Sequence, residues 1–156
     1  MPHRIVLASV ILSSAILAGA ALPALAAAVT DPKAAIGLTP DQLQWQKGAA
    51  NDQTWPIGAR DKEGQCLEII RWKPGNFSRP HYHCRARHAV VLEGTWWVAT
   101  SNVYDPANLT VPYPKGSVVT NLPGGVHYDG AKPETSDAVV AIFMQCPLDG
   151  IPAEKK

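Results

Sequence analysis

Charge is scarce in this sequence, and what there is cancels. Asp, Glu, Lys and Arg make up 17% of the 156 residues and leave a formal net charge of +1. No basic run or stripe occurs, which argues against nucleic acid binding and against polybasic docking on a membrane surface. No long apolar stripe of 3.6-residue period is present, so a helical bundle has no support. The G-x-S-x-G turn of a serine hydrolase is missing. Gly124-Gly125 is not followed by Gly-Lys-Ser/Thr, so no phosphate-cradling loop is formed. Repeats and low-complexity tracts are absent too.

The first residues read as an export signal. Arg4 supplies a positive start, residues 5–22 are almost wholly apolar, and Ala24-Leu25-Ala26 is an A-x-A cleavage site. Residues 1–26 are therefore expected to be a signal peptide, with a periplasmic or secreted product and no stable membrane insertion after cleavage. Without a twin-arginine pair, export would proceed unfolded. Cleavage removes Arg4 and no acid, which brings the formal charge to zero. The three cysteines, Cys66, Cys84 and Cys146, would then meet an oxidising compartment. Cys66 and Cys146 lie in apolar strand-like runs and could bridge; alternatively all three are small buried hydrophobes. Cys84 beside Arg85 has weak grounds for a lowered thiol pKa.

Residues 27–50 read as an N-terminal extension with a short helix near 40–46, started by Thr39 as N-cap and Pro40. Residues 51–150 form the main domain, and 151–156 a frayed tail. Fourteen prolines and twelve glycines punctuate short strand-like runs. Strands are expected at 66–72, 78–85, 117–122, 126–129 and 138–146. A hairpin is expected between 87–92 and 95–100, and a loop over 104–114. This spacing predicts an all-β sandwich or barrel. Trp96 and Trp97 should face opposite sides.

Three of the five histidines fall in two glycine-framed runs. His81 and His83 follow Gly75; on a strand, positions i and i+2 share a face and present two imidazoles to one space. His127 follows Gly116 and Gly124 in a similar setting.

These two runs resemble the motifs of the cupin superfamily, G-x5-H-x-H-x3,4-E-x6-G and G-x5-P-x-G-x2-H-x3-N. Gly75, His81, His83 and Gly94 match the first, and Gly116, Gly124 and His127 the second. Pro123 stands one place late, and Ala131 replaces the usual asparagine. The resemblance spans about residues 52–147 and extends to a bacterial group of mostly uncharacterised secreted cupins. It implies a double-stranded β-helix, the cupin jelly-roll barrel, carrying a divalent metal held by His81, His83 and His127. The ion could be Fe, Cu, Zn, Mn or Ni, with copper or zinc favoured by the Irving–Williams trend outside the cytoplasm. It also implies a homodimer that covers exposed strand edges.

The motif glutamate is missing. Counting back from Gly94 puts Arg87 in its place; counting on from His83 puts His88 there, as a fourth nitrogen ligand. With Arg87 in the cavity, a cation and a guanidinium would share one space, so a small anionic ligand is expected, with Arg87 as its fork. Tyr128 and Asp129 are further candidates for ligand contact, Asp129 also as a partner of an imidazole N–H. Asp129 is also a candidate proton acceptor, with a turn role beside Gly130 as the alternative, and no carboxylate or second base is clearly placed in the cage. The activity implied by analogy is that of a dioxygenase-like cupin. The alternatives are a zinc-dependent isomerase or lyase, a non-enzymatic binding or sensor protein, and a dimer with a vestigial cage.

Overall fold

The computed structural model describes residues 33–156, so the expected signal peptide at 1–26 lies outside the described residues. Strands β1 to β4 are Gln46–Lys47, Asn51–Ile57, Gly64–Trp72 and His81–Tyr82. Strands β5 to β8 are Arg87–Glu93, Thr95–Ala99, Val111–Pro114 and Val118–Asn121. Strands β9 to β11 are Tyr128–Gly130, Ala138–Cys146 and Ile151–Pro152. The expected helix near 40–46 is a three-residue 3-10 turn, Pro40–Gln42, where Gln42 Oε1 accepts from the Thr39 N–H at 2.8 Å. No helix among the described residues is long and apolar enough to cross a membrane.

Two layers result. One sheet has the order β1-β2-β3-β10-β5-β8, the other β7-β6-β9, and β4 pairs with β11. Isolated bridges Phe77↔Gly130 and His81↔His127 join β9 and its approach to the segment that leads into β4. Alternation along the long strands points Cys66, Ile70 and Trp72, Ala89 and Val91, and Val140, Ile142 and Met144 inward, where they pack with Trp96 and Val98. Burial of each large side chain contributes ~1.5–3 kcal/mol. The β10 run, 138–146, forms over the predicted residues because its continuous apolar sequence suits a central strand flanked by β3 and β5.

Four expectations need correction. The runs 87–93 and 95–99 are not a hairpin: β5 pairs with β10 and β8, whereas β6 pairs with β7 and β9. Gly94, at φ +67°, sends the chain from one sheet into the other, and a Cβ there would sit 2.1 Å from the Asp137 carbonyl oxygen. The loop at 104–114 ends in a strand, β7; its Pro112 and Pro114 are tolerated because β7 is an edge. The 78–85 run is extended only at His81–Tyr82. The tail is not frayed: Ile151 and Pro152 pair with Tyr82 and His81, and Glu154 forms a two-point ion pair with Arg79. Trp96 is inside, as expected for one of the pair, while Trp97 is half-buried under Lys132.

Cys66 and Cys146 form a disulfide across 80 residues of chain. Cross-linking a loop of that length removes chain entropy from the unfolded state, by roughly 2–5 kcal/mol in such domains. Replacing both cysteines by serine is expected to lower the urea midpoint by a matching amount; an unchanged midpoint would show that the bridge contributes nothing.

Candidate metal centre

Residues 75–83 of the first run lie antiparallel to residues 124–131, at the end of the second. Gly75 N–H donates to Ala131 O at 2.9 Å, Ser78 N–H to Asp129 O at 2.8 Å, and Gly124 N–H to His83 O at 2.8 Å. His81 and His127 exchange two backbone hydrogen bonds, each 2.9 Å, so they are direct cross-strand partners with side chains on one face. Gly130 permits the closeness of this pairing, because a Cβ would overlap Asn76 O at 2.1 Å. His83, two residues beyond His81, shares that face. The three rings converge, with centroids 4.6 to 5.3 Å apart.

Their protons are fixed by what the other ring nitrogen meets. His81 Nδ1 lies 2.7 Å from Arg79 O, His127 Nδ1 lies 2.9 Å from Gly125 O, and His83 Nδ1 contacts Asp149 O. A carbonyl only accepts, so each Nδ1 carries the hydrogen and each Nε2 keeps its lone pair. His81 Nε2 and His83 Nε2 are 3.1 Å apart, two acceptors facing one another. Two nitrogens at ~2.1 Å from one ion and at right angles would stand ~3 Å apart. One ligand atom from each of the three residues lies within 4.8 Å of the others, so the cluster could hold a divalent ion.

Arg87 reaches this cluster from β5. Its Nη1 donates to His83 Nε2 at 2.7 Å, and its Nη2 to Glu68 Oε2 at 3.3 Å. Arg87 thus stands at the motif glutamate's place, and Glu68, projecting from the adjacent face of β3, restores the missing negative charge one layer out. Sequence reading missed Glu68. The signal was its phase: Cys66, Glu68, Ile70 and Trp72 all point inward on β3. His88 is not in the cluster. It is exposed on the outer face of the sheet and meets Thr120 Oγ1 at 3.2 Å. Tyr128 is not at the cavity either: it lies under Tyr104, with its hydroxyl accepting from the Asp105 N–H at 3.0 Å. Asp129 does face inward, buried, accepting from Trp96 Nε1 at 3.1 Å.

A cavity of about 510 Å³ opens beside the rings, lined by His81, His83, Arg87, Glu68, Asp129 and Trp72 among others. Arg87 Nε and Trp72 Nε1 are buried donors with no acceptor. Unpaired buried donors are costly, and both belong to residues at this cavity. Burial, then the Arg87 charge, pushes His83 down to about 4. Burial likewise lowers His127, against the pull of Asp129. Burial raises Glu68 above the usual carboxylate range, opposed by Arg87. The hydrogen bond to Asp149 raises the Cys84 thiol, which leaves it a poor nucleophile.

The His83 shift sets a pH dependence. The unfolded chain takes up a proton at His83 near pH 6.5 and the folded chain only near 4, so the unfolded state binds more protons between those values. Stability is therefore full above 6.5 and is lost as pH falls toward 4, by up to roughly 3 kcal/mol from this one group. In chelator-treated protein, the unfolding free energy of wild type should fall more steeply between pH 7 and 5 than that of a His83→Asn variant. Parallel slopes would contradict this assignment.

No family model matches the chain, and no curated protein matches it by sequence. Solved structures do match. The polyketide cyclase RemF from Streptomyces resistomycificus superposes with a TM-score of 0.61 at 12% identity, over 78% of this chain and 87% of that one. A sugar phosphate isomerase of the cupin superfamily from Silicibacter pomeroyi gives 0.57 at 14%, over 71% and 76%. An RmlC-like cupin protein from Ralstonia eutropha gives 0.55 at 16%, over 70% and 67%. Such identities speak to architecture. With two packed antiparallel sheets and paired histidine runs, the chain has the all-β jelly-roll fold of the cupin superfamily.

Proposed function

We propose that this protein is an exported metal-dependent cupin that binds a small carboxylate-bearing molecule and moves a proton on it. The observation that carries the reading is the set of three carbonyl-fixed imidazoles whose Nε2 lone pairs face one point. His81, His83 and His127 would hold the ion. When bound, it would act as a Lewis acid on a coordinated ligand oxygen. The orphaned donors of Arg87 and Trp72 favour an oxygen-rich, anionic ligand. The Cys66–Cys146 disulfide supports an oxidising compartment.

Glu68 favours proton transfer over the oxygenase chemistry expected by analogy. It is a buried carboxyl lining the cavity, its pKa raised by burial against the pull of Arg87, and it is placed to act as a general acid or base. As a carboxylate it would take a proton from a carbon beside the ligand's carboxylate or carbonyl; as a carboxylic acid it would return one. Arg87 would orient the anion, and the apolar walls from Ile70 and Ile142 would limit water. Cyclisation and isomerisation, the activities named for two structural neighbours, are reaction types in which protons move. This placement of Glu68 also weakens the case for a purely binding or sensor role, which drew on the lack of any such group.

Elemental analysis of exported protein should find close to one equivalent of a divalent transition metal, lost in His81→Ala and His127→Ala. With a panel of small carboxylates in D2O, proton NMR should detect exchange at the adjacent carbon. Glu68→Gln should slow it by about 10²–10⁴-fold, the range for loss of a general base. Oxygen consumption without exchange would favour the dioxygenase instead.

The homodimer is proposed on the outer face of the six-stranded sheet, where Ile57, Val118 and Phe143 leave apolar surface exposed. Sedimentation equilibrium should give twice the chain mass, reverting to one chain mass in Val118→Glu; a wild-type monomer would refute it.

A further inference from the structure

Arg87 has two partners, and one of them is a lone pair that a metal ion needs. The His83 Nδ1 proton is committed to the Asp149 carbonyl, so Nε2 is an acceptor and Arg87 Nη1, 2.7 Å away, is its donor. A ring nitrogen has a single in-plane lone pair. It can take a guanidinium N–H or a metal ion, not both. His81 Nε2 and His127 Nε2 carry no such competitor among the described hydrogen bonds. The third nitrogen of the cluster therefore becomes available only when Arg87 turns away.

Arg87 has somewhere to turn. Its Nε–H is buried and unpaired, and Trp72 Nε1–H is in the same condition at the same cavity. A carboxylate in that cavity offers two acceptor oxygens to the free Nε–H edge, a geometry the planar guanidinium is built to match. Nη2 borders that edge but carries two hydrogens, so Glu68 can keep one of them while the ligand takes the other. Charge acts in the same direction. A divalent ion at the imidazoles repels the guanidinium, and an anion beside the guanidinium offsets that repulsion.

We infer that Arg87 is a switch between His83 and a carboxylate ligand, so that the metal ion and a small organic anion bind cooperatively. The inference rests on the reading of His81, His83 and His127 as metal ligands. Without the anion, Arg87 occupies the His83 lone pair and the ion competes with it. With the anion, Arg87 is held elsewhere and the ion meets three free nitrogens. Linkage makes the effect mutual: whatever factor the anion adds to metal affinity, the metal adds to anion affinity.

The test is a zinc titration of the full chain against a chelating indicator, with and without acetate, at matched free zinc. Acetate is the probe because it carries one carboxylate and chelates zinc weakly in solution. Wild type is compared with the double variant Arg87→Met, Glu68→Gln, which removes the competing donor without changing net charge or leaving a buried carboxylate unpaired. Without acetate, the double variant should bind zinc at least tenfold more tightly than wild type. Acetate should tighten zinc binding by wild type and leave the double variant unchanged. Equal affinities without acetate would overturn the switch while leaving the metal site standing. A tighter variant with a wild type indifferent to acetate would overturn the anion's part. If neither protein binds zinc, nor cobalt or copper in its place, the metal reading fails and the switch with it. Circular dichroism and a thermal melt confirm that the variant is folded, and a single Arg87→Met variant provides the comparison if it is not.

Discussion

The reciprocal backbone pair between His81 and His127 is the constraint from which the site follows. Two residues 46 positions apart in sequence donate to and accept from each other, and that single register fixes where both rings leave the strands. A slip of one residue would turn one ring to the far face. The neighbouring contacts guard against it: Ser78 binds Asp129 through backbone and hydroxyl, and Gly130 fits against Asn76 and Phe77 with no room for a side chain. Gly130 thus sets how closely the strands approach, and the histidines inherit their convergence from it.

Electrostatics then shapes what the converged rings can do. A guanidinium where a carboxylate ligand would be usual brings a positive charge to a site suited to a cation, and Glu68 balances it from β3, two strands away across β10. A buried ion pair of this kind costs much of its attraction in lost hydration. Its retention in a core otherwise built from Val, Ile, Trp and Ala makes more sense as function than as stabilisation. The same burial favours the neutral form of His83 and His127, which is the state in which an imidazole can offer its lone pair.

Much of this was legible in the sequence because the signals were local. Turn residues bounded the strands, the i, i+2 spacing placed His81 and His83 together, and the apolar run at 138–146 marked the central strand. The glutamate-position ambiguity was legible only as a choice, since one residue of register separates Arg87 from His88; pairing of β5 with both β10 and β8 places Arg87 inside and His88 outside. What stayed hidden was non-local. Glu68 precedes the first motif and gains meaning only from β3 standing near β5 across β10. The switch of sheets at Gly94 cannot be told from a hairpin turn by composition. Asp149 and the last strand carry no motif, and their contacts, Asp149 with His83 and β11 with His81 and Tyr82, depend on the chain folding back over the site.

The Asp149 contact has a consequence for the site. The carbonyl that orients the His83 ring belongs to Asp149, and β11 beyond it lies against His81 and Tyr82. The strand pairing that brings the three histidines together runs from Gly75 to Ala131, and Asp149 joins it from a separate segment. Without the Asp149 carbonyl, His83 would have no fixed tautomer. The tautomer that frees the His83 lone pair therefore depends on a residue near the end of the fold, and not only on the strands that carry the three histidines.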